Sequence, residues 1–175
     1  MSDRNLVAVT VVGNDRPGIV AGVTRLLYES GCNLEDASST ILRGHFSMML
    51  IVSAPGELSA PELEAKLATV AEELALSITA RSVDEAVLQV DTATHMVSVY
   101  GADQPGIVYR VAAELASSGI NITALSSRVI GSESQPVYAL MLEVVADDEL
   151  EARLDRLRAE LGMDVSVHPI GPDVL

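Results

Sequence analysis

A short motif, Asp-x-Pro-Gly-Ile-Val, occurs twice in the chain and has residue types suited to binding a small zwitterion. It begins at Asp15 and again at Asp103. If each motif joins a strand to a helix, free backbone N–H groups and the positive end of the helix dipole favour an anion such as an α-carboxylate. Gly18 and Gly106 allow close approach to the backbone, and the aspartate can hold an ammonium group. The alternative is structural: Asp caps the helix, Pro opens it and Gly packs against the sheet.

A second pair of polar residues, Asn33 and Asn121, follows Gly31 and Gly119 in the pattern Gly-x-Asn-hydrophobic. Here the chain leaves a predicted helix and enters a predicted strand. One interpretation is a turn in which Asn bonds its own backbone. The other is a polar side chain near the floor of a ligand pocket, and the sequence favours neither.

Catalytic and metal-binding patterns are weak in this sequence. Cys32 falls in a helix-to-strand turn, where a small buried side chain is the simpler interpretation. His45, His95 and His168 lie in different predicted elements, without metal-ligand spacing. There is no phosphate loop and no dinucleotide fingerprint. The sequence therefore predicts no catalytic residue, no metal and no cofactor.

The chain contains an internal duplication with an offset of 88 residues. Between Val9 and Ser39, 15 of 31 aligned positions are identical without a gap, whereas chance gives about one in fifteen. The two motifs and the two asparagines coincide under this offset, so the chain consists of two copies of one unit.

Each copy is predicted to have the order β-α-β-β-α-β, an α+β, ferredoxin-like arrangement. Asp15 is the predicted cap of the first helix, Pro17 lies in its first turn and Gly31 ends it. The predicted elements of the first copy are the strand Leu6–Val12, a helix from Asp15 to Gly31, the strands Asn33–Leu42 and His45–Ser53 around an Arg43-Gly44 turn, a helix capped by Ser59 and Glu62 that runs to about Leu76, and the strand Ser77–Val83.

The second copy repeats this order. Its predicted elements are the strand His95–Tyr100, the helix Pro105–Ser118, the strands Asn121–Ile130 and Pro136–Val145 around a longer loop, the helix Asp147–Leu161 and the strand Met163–His168. We expect one domain at residues 1–84, a linker at 85–94 and a second domain at 95–175. Because each unit is small and has unpaired edge strands, we expect the two to pack side by side, and a homodimer is compatible with the same argument.

The amino-acid composition restricts the classes of molecule that the protein is expected to bind. The net charge is −14 and only 3% of the residues are aromatic, although 49% are hydrophobic. A protein that binds nucleic acid directly needs a basic surface and often aromatic platforms, and an acidic chain is repelled by anionic membranes. No apolar run approaches the roughly 20 residues of a spanning helix. These features predict a cytoplasmic protein that binds neither nucleic acid nor membrane.

The duplicated motif together with Gly-x-Asn resembles the first-strand, first-helix signature of ACT domains. Two such units covering about residues 5–170 resemble the glycine cleavage system transcriptional repressor family. The resemblance implies that a small amino acid binds between paired units through the loop before the first helix. It would assign ligand contacts to Asn14, Asp15, Arg16, Pro17, Gly18, Ile19, Val20 and Asn33, and to Ala102, Asp103, Gln104, Pro105, Gly106, Ile107, Val108 and Asn121.

The function expected from this resemblance is non-enzymatic sensing of an amino acid, glycine or serine. Because the chain is acidic, an effect on transcription is expected to pass through a protein partner such as a basic transcriptional activator. The alternative is a free-standing regulatory subunit of an amino-acid metabolic enzyme. The second copy has Ala102 and Gln104 where the first has Asn14 and Arg16, so if these side chains contact ligand, the two sites are not equivalent.

Overall fold

The first copy folds as the sequence predicts, in the order β-α-β-β-α-β. The computed structural model describes residues 4–83, 92–132, 135–147 and 149–171, and the chain divides into two compact units, Met1–Gln89 and Val90–Leu175. The elements of the first unit are β1 (Arg4–Asn14), α1 (Ile19–Glu29), β2 (Asn33–Leu42), β3 (His45–Pro55), α2 (Ala60–Leu74) and β4 (Leu76–Ser82).

The second unit repeats the same order. Its elements are β5 (His95–Gly101), α3 (Ile107–Ser117), β6 (Asn121–Ser132), β7 (Gln135–Val145), α4 (Leu150–Leu161) and β8 (Asp164–Pro169). The α+β, ferredoxin-like fold class is therefore confirmed for both copies.

Each unit has one antiparallel sheet with its own core. The strand orders are β2-β3-β1-β4 and β6-β7-β5-β8. One face of each central strand is buried because side chains alternate along a strand. In the first unit the buried set includes Val7, Val9 and Val11 of β1, with Leu63 and Leu67 of α2. The core of the second unit is equally aliphatic, with Val97, Val99, Leu150 and Leu154 among its members.

Local signals at helix ends and turns are largely confirmed. Gly31 has a φ of 74°, and the N–H groups of Gly31 and Cys32 donate to the carbonyls of Tyr28 and Leu27 at 2.9 and 3.0 Å. This is the Schellman arrangement, in which a glycine after the helix satisfies its last carbonyls. The capping box formed by Ser59 and Glu62 is also present, and so is the Arg43-Gly44 turn between β2 and β3.

The predicted start of the first helix is wrong. The helix begins at Ile19, after Gly18, and Asp15 makes no capping hydrogen bond. Pro17 therefore precedes the helix instead of occupying its first turn. The second copy behaves identically, since α3 begins at Ile107 after Gly106. Asp and Pro match the general pattern of a helix start, but a left-handed glycine between them and the helix delays it by one turn.

Two other predictions concern connecting segments. The pairing of β6 with β7 continues through Gly131 with Pro136 and Ser132 with Gln135, so the five-residue loop predicted there is largely strand. The predicted linker at 85–94 lies mostly outside the described residues. At its end, Thr94 already pairs with the second sheet, because its N–H donates to the Val144 carbonyl at 2.9 Å.

Candidate functional site

The two Asp-x-Pro-Gly loops have the same backbone geometry. Gly18 and Gly106 have φ angles of 97° and 89°, in the left-handed backbone region that residues other than glycine rarely adopt. A Cβ added at either position would have no atom within 4 Å. The structural alternative supposed that these glycines pack against the sheet, and they do not. Their backbone is open to a ligand.

Free donors lie directly beside these glycines. The first hydrogen bonds inside α1 and α3 run from Gly22 N–H to the Gly18 carbonyl at 2.8 Å and from Arg110 N–H to the Gly106 carbonyl at 2.9 Å. The N–H groups before Gly22 and before Arg110 thus have no partner within their helix, and the positive end of the helix dipole lies at the same place. Each loop offers backbone donors suited to a carboxylate.

The aspartates of the two loops are available to a ligand. Asp15 and Asp103 are exposed, and neither carboxylate is hydrogen-bonded or ion-paired to any described residue. The backbone of Asp15 is held in place, because its N–H donates to the Gly44 carbonyl at 2.8 Å. An ordered backbone with an unused carboxylate is suited to receive an ammonium group.

Hydrophobic members of the predicted site differ in exposure. Ile19 and Ile107 are each 2% exposed and belong to the two cores, so their side chains anchor the helices. Val20 is 48% exposed. Val108 is half-buried and packs against the second core. Asn14, Pro17, Ala102 and Pro105 are exposed.

Arg16 and Gln104 have a structural role. The Arg16 guanidinium donates to the Glu73 carbonyl at 2.7 Å, in the last turn of α2. The Gln104 side-chain amide donates to the Leu161 carbonyl at 3.1 Å, at the end of α4. Each residue thus donates a hydrogen bond to a carbonyl near the end of a helix that has no partner within that helix. The Arg-to-Gln difference between the copies preserves this contact.

The asparagines lie away from the loops of their own units. Asn14 of β1 pairs with His45, whereas Asn33 faces Ser53, which pairs with Leu6. Eight residues of β1 separate these rows, about 26 Å at ~3.3 Å per residue. Asn121 similarly faces Val145 at the far end of its sheet. Within one unit, neither asparagine joins the Asp-x-Pro-Gly loop in a single site, and a role of the asparagines in ligand binding stays a prediction.

Asn33 instead belongs to a polar cluster of the first unit that the sequence did not indicate. The Glu35 carboxylate accepts from Asn33 Nδ2 at 3.1 Å and from Ser53 Oγ at 2.7 Å. Arg4 donates to Ser53 Oγ at 3.2 Å and to the Gly31 carbonyl at 3.1 Å. These residues lie far apart in the sequence, so only the packed sheet brings them together.

Two titratable groups in or beside the polar cluster have shifted pKa values. The hydrogen bonds from Ser53 and Asn33, aided by the charge of Arg4, lower the pKa of Glu35. Burial raises the pKa of the Cys32 thiol, and the nearby Arg4 charge partly opposes this. A thiol with a raised pKa is a poor nucleophile. The structure therefore gives no support for catalysis at Cys32.

A cleft lies beside Gly18 in the first unit. It has a volume of about 310 Å³ and is lined by Gly18, Ala21, Gly22, Arg25, Val70, Glu73 and Leu74. The second copy has Tyr109 and Arg110 where the first has Ala21 and Gly22. Small residues next to the loop thus distinguish the first copy.

Two further features bear on the class of protein. No group of three His, Cys, Asp or Glu side chains within the described ranges is placed to hold a metal ion. Among the same residues, no helix has the length and hydrophobicity needed to cross a membrane.

Comparison with protein families assigns both copies. Models of the ACT domain match residues 5–81 and residues 95–162. The chain therefore belongs to the ACT domain family and carries two ACT domains in tandem.

Among characterised relatives, the chain is similar to the glycine cleavage system transcriptional repressor of Escherichia coli, with 29% identity over 87% of this chain and 80% of the relative. A stretch of 71 residues is similar to a UPF0237 protein of Methanopyrus kandleri, with 42% identity over 40% of this chain and 79% of the relative. It is also 26% identical to the phosphoserine phosphatase SerB2 of Mycobacterium tuberculosis, over 94% of this chain and 41% of the phosphatase.

Solved structures share the fold over nearly the whole chain. An unknown protein from Galdieria sulphuraria aligns with a TM-score of 0.82 and 25% identity, covering 97% of this chain and all of that one. A structure described as a candidate glycine cleavage system transcriptional repressor aligns with a TM-score of 0.69 and 22% identity, over 97% and 99% of the two chains.

Proposed function

We propose that this protein is a non-enzymatic amino-acid sensor that regulates a partner protein. The ligand is a small amino acid, glycine or serine. Its carboxylate accepts from the free N–H groups at the start of α1 or α3, and its ammonium group pairs with Asp15 or Asp103. The observation that carries the proposal is the geometry of each loop. Free backbone N–H donors lie beside an aspartate whose carboxylate makes no hydrogen bond to a described residue.

The similarity to a transcriptional repressor supports a regulatory role. The net charge of −14 supports an indirect one, because an acidic surface is repelled by the phosphate backbone of DNA. Ligand occupancy would alter affinity for a basic partner such as a transcriptional activator, and a coupling free energy of about 1–3 kcal/mol is enough for a useful switch. The expectation that the ligand lies between the two copies stays a prediction.

The first unit is the stronger candidate for ligand binding. Its loop adjoins the cleft beside Gly18, whose lining includes the small residues Ala21 and Gly22. Tyr109 and Arg110 occupy the corresponding positions next to Gly106.

Thermal-shift screening against the twenty amino acids, followed by calorimetry, tests ligand binding. A ligand that binds only the folded state stabilises it by about 2.7 kcal/mol at a hundred times its Kd. Asp15→Asn should abolish the shift without loss of basal stability, since Asp15 does not cap the helix. Asp103→Asn is the matched variant of the second copy. Absence of any shift at millimolar concentrations would contradict amino-acid sensing.

A second candidate function is regulation of a metabolic enzyme as a free-standing subunit. The observation that favours it is the similarity of almost the whole chain to part of a phosphoserine phosphatase. Affinity purification from cell extract, with and without the identified amino acid, separates the two. Recovery of a metabolic enzyme and no transcription factor would replace the first candidate by the second.

A further inference from the structure

A groove lies between α2 and the edge strand β4 of the first unit. It has a volume of about 640 Å³, and its helix side is built mainly from Ala65, Ala68, Ala71 and Ala75. Ile78 of β4 lines the other side. Because alanine has no side-chain donor or acceptor, these four residues make no side-chain hydrogen bond to the backbone of β4.

The backbone of Ile78 faces away from β1, at this groove. In an antiparallel pair, residues that bond the neighbouring strand alternate with residues whose N–H and C=O point away from it. Val83 N–H donates to the Leu6 carbonyl at 2.9 Å. By this alternation Ile78 and Ala80 point outward, and the 2.7 Å hydrogen bond from Ala80 N–H to the Glu64 carboxylate agrees with it. Ile78 therefore presents both a donor and an acceptor at the edge of the sheet.

The second unit closes the same place with a charged side chain. Arg158 Nε of α4 donates to the Val165 carbonyl of β8 at 2.6 Å. By strand register, Val165 is the counterpart of Ile78. In the helices, four residues after the equivalent core leucines, Arg158 is the counterpart of Ala71. The carbonyl that a helix side chain occupies in the second unit is thus left open in the first.

The charges beside the groove favour a basic occupant. Among the described residues that line it, the charged ones are Glu64 and Glu72. They lie eight residues apart on α2, about 12 Å at ~1.5 Å per residue. An extended segment advances about 13 Å over four residues, so two cations at that spacing reach both carboxylates. A second copy of this chain is a poorer fit, because its net charge is −14.

From these features we propose that the groove binds an extended, basic segment of a partner protein, which joins the sheet as a strand beside β4. The central residue of the segment exchanges backbone hydrogen bonds with Ile78, and its small apolar side chain packs on Ala68 and Ala71. Because side chains alternate along a strand, the residues two positions before and after it lie on the same side, next to Glu64 and Glu72. The backbone pairing supplies affinity and the two cations supply specificity.

The inference deepens the proposed function and rests on it for the identity of the partner, a basic protein that the sensor regulates. The pairing itself uses no residue of the Asp-x-Pro-Gly loops and needs no amino acid. Asp15→Asn should therefore leave binding of the segment unchanged in the absence of amino acid. Failure of amino-acid binding and failure of segment binding are thus separate results.

Fluorescence anisotropy with a rhodamine-labelled peptide, Thr-Lys-Thr-Val-Thr-Lys-Thr, tests the groove. Its sequence is palindromic, so the direction of the added strand need not be known. We expect saturable binding. Replacing both lysines by glutamate, or the central valine by proline, which has no N–H, should each raise the Kd about tenfold or more. No saturable binding at millimolar concentrations, or equal binding of the acidic peptide, would overturn the proposal.

A substitution that copies the second unit closes the groove. Ala71→Arg places at this position the side chain that occupies the strand edge in the second unit, and it should raise the peptide Kd about tenfold or more. Thr69→Arg, at an exposed position of α2 outside the groove, is the matched control for charge and should have little effect. An unchanged Kd in Ala71→Arg would contradict the proposal. A dimer of the protein that Ala71→Arg dissociates would assign the groove to a second copy instead.

Hydrogen exchange measured by NMR tests the pairing with β4. Peptide binding should slow exchange of the Ile78 amide, because that N–H gains a backbone acceptor. The amide of Val165, its counterpart in the second unit, is the internal control and should not change. Slowing at Val165 alone, or none at Ile78 while the peptide is bound, would show that the peptide does not add a strand to β4.

Discussion

The two ACT domains have the same backbone but different surroundings at their candidate sites. Both loops end in a left-handed glycine, Gly18 or Gly106, and both first helices end in a Schellman glycine, Gly31 or Gly119. The side chains near these shared features have diverged. The 88-residue offset replaces Ala21 and Gly22 of the first copy with Tyr109 and Arg110.

The polar cluster shows the same divergence. The 88-residue offset places Thr92 and Thr123 where the first copy has Arg4 and Glu35. The strand register places Val145 of the second copy where the first copy has Ser53. The left-handed and Schellman glycines are present in both copies, whereas the contacts among Arg4, Glu35 and Ser53 occur only in the first. The difference indicates that the second copy keeps the loop as part of its fold even if only the first binds ligand.

The cores give the largest expected effect and test whether the copies are equally stable. Leu67 and Leu154 occupy equivalent places in α2 and α4, and both are 0% exposed. Changing either to Ala should reduce the free energy of unfolding by about 2–5 kcal/mol, since the substitution removes buried methyl groups and leaves a cavity. Urea denaturation measures the loss. A loss below about 1 kcal/mol at one position would show that its unit contributes little to the measured transition.

The loop glycines should behave alike in the two copies. Gly18→Ala and Gly106→Ala each impose a left-handed conformation on a residue with Cβ, at a cost of roughly 1–2 kcal/mol. No neighbouring atom adds a clash. The matched control is Gly119→Ala, which has a φ of 71° and equally open surroundings at the other end of α3, away from either helix start. Denaturation of all three variants checks the prediction, and a markedly larger cost at only one loop would disprove their equivalence.

The contacts made by Arg16 and Gln104 should also be equivalent, although the residues differ. Arg16→Ala and Gln104→Ala each leave a helix carbonyl without its side-chain donor, at a cost of about 0.5–1.5 kcal/mol. Arg16→Gln should retain most of the stability, because an amide makes the same contact in the second copy. If Arg16→Gln keeps stability but loses amino-acid binding, Arg16 also contacts the ligand.

The sequence predicted the features that depend on neighbouring residues. The order of elements, the Arg43-Gly44 turn, the capping box at Ser59 and the stop at Gly31 are all determined within a few positions. The start of the first helix was mispredicted because Asp15 and Pro17 match a helix start whether or not a left-handed glycine follows them.

The position of Asn33 relative to the loop could be predicted only from the path of the chain through the fold. The loop after β1 and the residues after α1 lie at opposite ends of a strand-helix-strand unit, because the helix runs back along the sheet. The contact between Arg4 and Ser53 spans 49 positions of sequence, and no local pattern indicates it. Side-chain clusters of this kind appear only once the strands are in register.

The smallest effect expected is a pH dependence confined to the first copy. Hydrogen bonds from Ser53 and Asn33 lower the pKa of Glu35 below its ordinary value of 4.5, so the folded state favours the carboxylate. Its contribution to stability is present above pH 4.5 and is lost as the pH falls through the lowered pKa of the folded state. Glu35→Gln should flatten the dependence of the free energy of unfolding on pH in this acidic range.

Glu62 provides the internal control for that measurement. Its pKa is also lowered, by hydrogen bonds from Ser59, so Glu62→Gln should remove a separate part of the acid sensitivity. The two carboxylates share no hydrogen-bond partner, and their effects should add. In the second copy, Thr123 occupies the position of Glu35 and carries no charge to titrate. Thr123→Val should therefore leave the dependence of the free energy of unfolding on acidic pH unchanged. A change in that dependence would show that the difference between the copies does not arise from the Glu35 cluster.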